Sequence, residues 1–254
     1  MTLPPQQAVD AAFLREYVAF SSFGPLRIAE CLYAALVEAH RKKDFTTVGH
    51  LQIHLHAEMV ACLETAGALL RAYSRWEKPG VLKSLLTYRQ GEVPQFMQQL
   101  AESDDVLRLL CFPYKDDLLA HDDVKSHLKR GIEEEYSSAE LKRVVMDTCK
   151  MYISENVRDA YNKVKHGYLC IRHPDMLGPV SGKMARGDDV CVLMYRKQTG
   201  SIDFGRFKVT GPKALHLAGT YVHNIKFTTK QSRALAGFAA FCLKRGLMLH
   251  SGQS

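Results

Sequence analysis

The chain has 254 residues, of which 46% are hydrophobic and 24% charged, and its formal net charge is +7. These values are those of an ordinary globular protein that can bury a sizeable core. The most apolar run, Ala234 to Leu243, is too short to span a membrane, and the N-terminal residues lack a signal-peptide pattern. We therefore expect a cytoplasmic protein with no membrane partner, whose seven scattered cysteines are reduced.

Apolar periodicity predicts helices through the first half of the chain, at about residues 6–20, 26–43, 47–76, 81–86, 93–101, 106–111 and 122–135. The helix over 47–76 is the longest, and Gly67 within it allows another helix to approach closely. Glu64 on this helix is expected in a buried ion pair with Arg71 or with Arg158. Tyr73 and Trp76 are expected in the core. In the helix over 26–43, six apolar residues lie on one stripe: Ile28, Cys31, Leu32, Ala35, Leu36 and Ala39.

A long helix is predicted to begin at Ser137 or Ser138 and to end at His166, where Gly167 can close it. One face of this helix carries an apolar stripe, made of Leu141, Val144, Val145, Thr148, Met151 and Tyr152. Continued with the same phase, the stripe becomes polar, meeting Glu155, Asp159, Asn162 and His166, with Arg158 at its edge. Because buried polar groups cost free energy unless they are paired, the row indicates either a site or an internal network. A salt-bridged helix end at the rim of a bundle is the plainer alternative.

The composition changes after residue 171. Glycine and proline mark residues 172–189 as a loop, and apolar strands at 190–195 and 202–209 predict a hairpin. A doubtful short element follows Pro212, and a final helix is expected at 230–247. The predicted fold is mainly α: an antiparallel helical bundle over residues 1–171, with the loop, a small C-terminal β-hairpin and a final packing helix over 172–254, packed on the same domain.

The strongest candidate chemistry is the row Arg158, Asn162 and His166, which follows a spacing of four and four on one helix face. A guanidinium can hold a phosphate with two hydrogen bonds, and an amide can orient it. An imidazole can move a proton near neutral pH. The three side chain types together suit a phosphate-containing ligand, and no cofactor is expected.

The segment Tyr161-Asn162-Lys163-Val164-Lys165-His166-Gly167 resembles the ending of a late helix in the HEPN superfamily. The resemblance implies a helical homodimer that binds RNA or a nucleotide. The resemblance also implies that the protein is a metal-independent endoribonuclease of the toxin or defence type. It assigns Arg158 to the scissile phosphate, His166 to acid–base chemistry and Asn162 to positioning. The candidate substrate-binding residues are Glu155, Asp159, Lys163 and Lys165. The spacer between Arg158 and His166 is longer here than is usual in the family.

Two alternatives stay open. The first is a non-catalytic helical module that binds a nucleotide or a nucleic acid. The second is a metal-binding helical bundle that uses His50, His54 and Glu58, which share one helix face at a spacing of four. Such a metal would need further ligands, for which His166 and Glu155 are available.

Overall fold

The computed structural model describes residues 5–89, 91–122, 138–153, 170–171, 189–196 and 201–250. These residues are mainly helical, as expected, and the chain divides into two compact units. Unit 1 takes in residues 1–22, 63–153 and 228–254, and unit 2 takes in 23–62 and 154–227. The expected domain boundary after residue 171 stays a prediction.

The helices follow one another with short connections through most of the described chain. Their bounds are α1 Pro5–Ala19, α2 Gly24–Arg41, α3 Phe45–Tyr73, α4 Val81–Thr87, α5 Glu92–Glu102, α6 Val106–Leu109, α7 Lys115–Leu119, α8 Ser138–Ile153 and α9 Gly211–Arg245. One turn of 3-10 helix, Ser21–Phe23, precedes α2. The predicted helices up to residue 111 are confirmed to within a few residues. The helix expected at 122–135 lies almost entirely outside the described residues.

The described strands form one antiparallel sheet in the order β1-β2-β3. Their bounds are β1 Cys170–Ile171, β2 Asp189–Arg196 and β3 Ser201–Lys208. Strand β1 pairs with β2 through Cys170 and Val192. Strands β2 and β3 pair residue for residue, from Asp189 opposite Lys208 to Arg196 opposite Ser201.

Unit 1 has an aromatic and aliphatic core. Tyr73 and Phe112 are fully buried with their ring centroids 5.4 Å apart, and Phe238 meets Phe112 edge-on at 5.3 Å. Trp76 is also buried, and its indole N–H donates to the carbonyl oxygen of Leu249 at 2.9 Å. The expectation that Tyr73 and Trp76 belong to the core is confirmed.

Helices α3 and α5 approach each other at Gly67. A Cβ placed on Gly67 would lie 2.8 Å from Cγ1 of Val93 and would overlap the Met97 side chain. Both of these α5 residues are fully buried. The close approach predicted from Gly67 is therefore confirmed, because no larger residue fits there unless its neighbours move.

A buried carboxylate joins α1 to α4. Asp10 has no exposed surface, and it accepts hydrogen bonds from the backbone amides of Val81 at 2.8 Å and Leu82 at 3.0 Å. Gln6 donates a third, at 3.0 Å. The residue before α4, Gly80, has a φ of +99°, which favours glycine. Asp10 thus satisfies two of the free amides that begin α4.

Unit 2 contains α2, the first part of α3 and the first part of α9. The Gln52 side chain donates to the carbonyl oxygen of Ala214 at 3.1 Å, and the His56 and Tyr221 rings meet edge-on at 5.4 Å. On α2 the expected apolar stripe is partly wrong. Leu36 and Ala39 are buried, whereas Ile28 is 48% exposed.

Helix α9 corrects the prediction for the end of the chain. The expected break between a short element and a helix beginning near residue 230 does not exist, because Gly211–Arg245 is one helix of 35 residues. Thr228 and Thr229, which resemble N-cap residues in the sequence, are 1% and 5% exposed within this helix. Their burial outweighs the local capping preference. In the described part of the chain, no helix combines the length and apolarity that crossing a membrane requires.

Candidate functional site

The predicted motif lies outside the described residues. This applies to its candidate catalytic residues, Arg158, Asn162 and His166, and to its candidate substrate-binding residues, Glu155, Asp159, Lys163 and Lys165. The roles and the geometry assigned to these seven side chains therefore stay predictions. The described helix that precedes them in the chain is α8.

Helix α8 buries the face that the sequence predicted. Val144, Val145, Thr148 and Tyr152 are each no more than 5% exposed, while Lys150 on the other side is exposed. The Thr148 hydroxyl donates to the carbonyl oxygen of Val144 at 3.0 Å, which satisfies a polar group inside the core. The core-facing stripe of α8 is thereby confirmed for these four residues.

The outer side of α8 carries charged contacts within unit 1. The Lys142 ammonium donates to the carbonyl oxygen of Asp104 at 3.1 Å, and Arg143 pairs with Asp147 at 3.4 Å. Cys149 on the inner side is fully buried, and this burial raises the pKa of its thiol to about 12. The two sides of the helix thus differ clearly in polarity.

The histidine row on α3 has the exposure of a surface feature. His50 and His54 are exposed and Glu58 is half-buried. Among the residues that the structure describes, no group of three or more His, Cys, Asp and Glu side chains could hold a metal ion. The further ligands proposed for this alternative, His166 and Glu155, fall outside the described ranges.

Arg71 has a structural partner that the sequence did not indicate. Its guanidinium is 5% exposed, and Nη2 lies 2.7 Å from Oε2 of Glu92 on α5. Burial, followed by the charge of Arg75, lowers the pKa of Arg71. A hydrogen bond from the Arg89 amide, and then the charge of Arg71, hold the pKa of Glu92 below its usual value. This pair ties α3 to α5, and the expectation of an Arg71–Glu64 pair is wrong.

Unit 1 encloses a cavity of about 10 Å³ between α3, α8 and α9. Tyr73 and Thr228 both line it, and neither hydroxyl oxygen has a hydrogen-bond partner among the described residues. The volume is that of about one water molecule. The cavity is therefore too small for a substrate or a cofactor.

Unit 2 has an open groove between α2 and α9 that is large enough for a ligand. Its volume is about 420 Å³, and it is lined by Tyr33, Leu215, His216, Gly219, Thr220 and His223. His216, Thr220 and His223 are exposed along one side of α9. The Thr220 hydroxyl donates to the carbonyl oxygen of His216 at 3.0 Å, so its oxygen can still accept a hydrogen bond.

The sequence prediction missed this groove, although the chain carries a signal for it. Residues 211–245 contain no Asp or Glu, and they contain six basic residues: Lys213, Lys226, Lys230, Arg233, Lys244 and Arg245. The expected break near residue 230 concealed the length of this acid-free stretch. A polyanion would meet no carboxylate on this helix.

No protein-family model matches the chain, and neither a curated protein nor a solved structure resembles it significantly. The resemblance to the HEPN superfamily therefore depends on the residues of the motif alone.

Proposed function

We propose that the chain is a HEPN-like RNA-binding protein that cleaves RNA without a metal ion. The observation that carries the proposal is the phase of α8, whose buried face includes Val144, Thr148 and Tyr152. The sequence predicts that this helix continues to His166, and at about 3.6 residues per turn Asn162 and His166 would then share that face. Polar side chains on a core-directed face need partners, and a bound phosphate would provide them.

The proposed reaction is a transesterification. The ribose 2′-hydroxyl attacks the adjacent phosphorus, so that a bond from O2′ to phosphorus forms and the bond from phosphorus to O5′ breaks. The proton of the 2′-hydroxyl passes to a base, and the leaving 5′-oxygen receives a proton. The products are a 2′,3′-cyclic phosphate and a 5′-hydroxyl. In this scheme His166 exchanges one of these protons, Arg158 neutralises the phosphate charge and Asn162 positions the reacting groups.

The net charge of +7 and the acid-free helix α9 support a polyanionic ligand. The proposal includes a homodimer, since the resemblance places the site between paired helices. It also includes a cytoplasmic location. The proposed fold is a helical bundle that carries a small C-terminal β-hairpin and a final packing helix. The cysteines whose side chains are described, Cys31, Cys62, Cys111, Cys149 and Cys242, are free thiols, which is compatible with that location.

The test is an RNA degradation assay in the presence of a chelator. We expect the purified chain to cleave a labelled single-stranded RNA under these conditions, leaving cyclic phosphate ends. His166→Ala should lose about 100-fold or more of the rate, since acid–base catalysis typically contributes about 10²- to 10⁴-fold. Exposed His50 on α3 offers a matched control, because His50→Ala removes the same group elsewhere. Cleavage that His166→Ala leaves unchanged would contradict the assigned role.

A non-catalytic module that binds a nucleotide or nucleic acid is the second candidate function. The groove between α2 and α9 favours it, because its volume of about 420 Å³ can accommodate a ligand apart from the predicted catalytic motif. Tight RNA binding by the wild-type chain, with the RNA intact after long incubation, would select this candidate over the nuclease.

A further inference from the structure

The groove between α2 and α9 combines an aromatic ring with hydrogen-bonding side chains of the kind that bind phosphate. Tyr33 of α2 lines one side, and His216, Thr220 and His223 of α9 line the other. Among the described residues outside its own helical turn, a Cβ placed on Gly219 would contact only the Tyr33 hydroxyl, at 3.8 Å. The space in front of Gly219 is therefore open, and a ligand rather than a side chain can occupy it.

Two lysines extend this row on α9. Lys213 precedes His216 by three residues and Lys226 follows His223 by three, so each lies about one helical turn from its imidazole. Both lysines are exposed. At a rise of about 1.5 Å per residue, the row from Lys213 to Lys226 is about 20 Å long. This length suits a stretch of nucleic-acid backbone better than a single small anion.

The carboxylates of α2 do not offset this positive row. Glu30 pairs with Arg27 at 3.4 Å on the same helix. Glu38 pairs with Arg41 at 2.7 Å and with Lys42 at 3.1 Å. Hydrogen bonds from these two cations lower the pKa of Glu38 to about 2, so it stays ionised and paired. Neither of these carboxylates pairs with Lys213 or Lys226 of α9.

The chemistry of the lining also narrows the class of ligand. In the described part of the chain, no cluster of His, Cys, Asp and Glu is large enough to hold a metal ion, so the two imidazoles are not part of such a cluster. An aromatic side chain beside a positive row is the arrangement that binds single strands, whose bases can stack on the ring. A duplex hides its bases and offers no such partner to Tyr33.

We infer that the groove formed by Tyr33, His216, Thr220 and His223, with Lys213 and Lys226 at its ends, binds the backbone of single-stranded RNA. The inference rests on the proposed RNA-binding function. It adds a second contact region to the motif at residues 155–166, built from side chains that the motif does not include. Lys213 and Lys226 neutralise phosphates, the imidazoles donate hydrogen bonds to phosphate oxygens, and Tyr33 stacks on a base.

The test uses a fluorescein-labelled 2′-O-methyl oligouridine of about 12 nucleotides, within the range that single-strand grooves accommodate. Its blocked 2′-oxygen cannot attack the phosphate, so binding is measured without cleavage. We expect the full-length double variant His216→Glu/His223→Glu to bind the probe at least about 10-fold more weakly than wild type, because like charges would face the phosphates. Fluorescence anisotropy gives the dissociation constant.

The matched control is Lys83→Glu on α4, an exposed residue. It changes the net charge by the same two units as the double variant, and it should alter the dissociation constant by less than about 2-fold if the groove is the site. Circular dichroism confirms that each variant is folded. If the double variant does not fold, the single exposed change Thr220→Glu takes its place, with the same expected direction.

The outcomes separate this inference from the proposed function. Wild type that fails to bind the probe overturns both. Wild type that binds, with His216→Glu/His223→Glu binding equally well, overturns the groove but leaves RNA binding by the motif in place. Displacement of the probe by polyglutamate as readily as by unlabelled oligouridine would also overturn the inference, since the groove would then bind acidic peptides.

Discussion

Gly67 on α3 and Gly219 on α9 occupy opposite surroundings. At Gly67 the missing side chain is replaced by Val93 and Met97 of α5, which leave no room for a Cβ. At Gly219 the same absence borders an open groove, and the nearest described side-chain atom to a Cβ there is the Tyr33 hydroxyl. The first region is explained completely by packing. The second has open space bordered by polar groups, which packing does not explain.

The polar side chains of the two regions differ in the same way. In unit 1, buried Asp10 accepts backbone amides and buried Arg71 pairs with Glu92. In the groove region of unit 2, His216 and His223 are exposed along an acid-free helix. Polar groups that are satisfied inside the fold stabilise it, whereas exposed ones that line a groove are available to a ligand. Substitutions in the two regions should therefore affect different measurements.

The largest expected effect on stability is that of Asp10→Ala in unit 1. Removing the carboxylate leaves the amides of Val81 and Leu82 without their acceptor, and we expect a loss of about 2–4 kcal/mol in the free energy of unfolding. Urea denaturation measures it. The control Glu16→Ala alters an exposed residue of the same helix and should cost less than about 0.5 kcal/mol. Equal costs for the two variants would show that Asp10 does not hold α4.

The next largest effect on the free energy of unfolding is expected from alanine substitutions at the two glycines. Gly67→Ala should lower the free energy of unfolding by about 1–3 kcal/mol, because its Cβ overlaps Val93 and Met97. Gly219→Ala should leave stability unchanged or raise it by up to about 1 kcal/mol, since alanine favours the helix. Gly237→Ala should behave like Gly219→Ala, because its Cβ would meet no atom of another described element within 4 Å. Stabilisation by Gly67→Ala would remove the contrast between the two regions.

The smallest expected effect is on the reactivity of single cysteine thiols, which alkylation of the native protein at pH 8 measures. Cys149 is buried, and its pKa of about 12 lies far above the pH, so almost none of it is thiolate. Cys31 on α2 is exposed. We expect iodoacetamide to modify Cys31 in the folded chain and Cys149 only after denaturation, as read by peptide mass spectrometry. Equal modification of both in native buffer would contradict the burial of α8.

Much of the helical fold could be predicted because its signals are local. Pro79 and Gly80 end one helical region, and the spacing of Val144, Thr148 and Tyr152 identified the buried face of α8. The failures came from tertiary contacts. Thr228 resembles a helix start, yet its burial keeps it inside α9. Arg71 pairs with Glu92 on α5, and the residue spacing in the sequence does not show that α3 and α5 are neighbours.

The two candidate sites also differ in how far the sequence could predict them. The motif at Arg158 and His166 was visible in the sequence because its residues are close together in the chain. The groove was not, since Tyr33 and His216 are separated by 183 positions and meet only when α2 and α9 pack together. The acid-free composition of residues 211–245 was the one local sign of it.

The central claim is that RNA binds through phosphate contacts made by α9, and the salt dependence of binding tests it most directly. For wild type, the logarithm of the oligouridine dissociation constant should rise linearly with the logarithm of the salt concentration. In Lys213→Gln/Lys226→Gln the slope should fall by about 1.4, which is about 0.7 for each single-strand phosphate that a lysine no longer neutralises. A wild-type affinity that does not depend on salt, or a slope that the double variant leaves unchanged, would contradict the account.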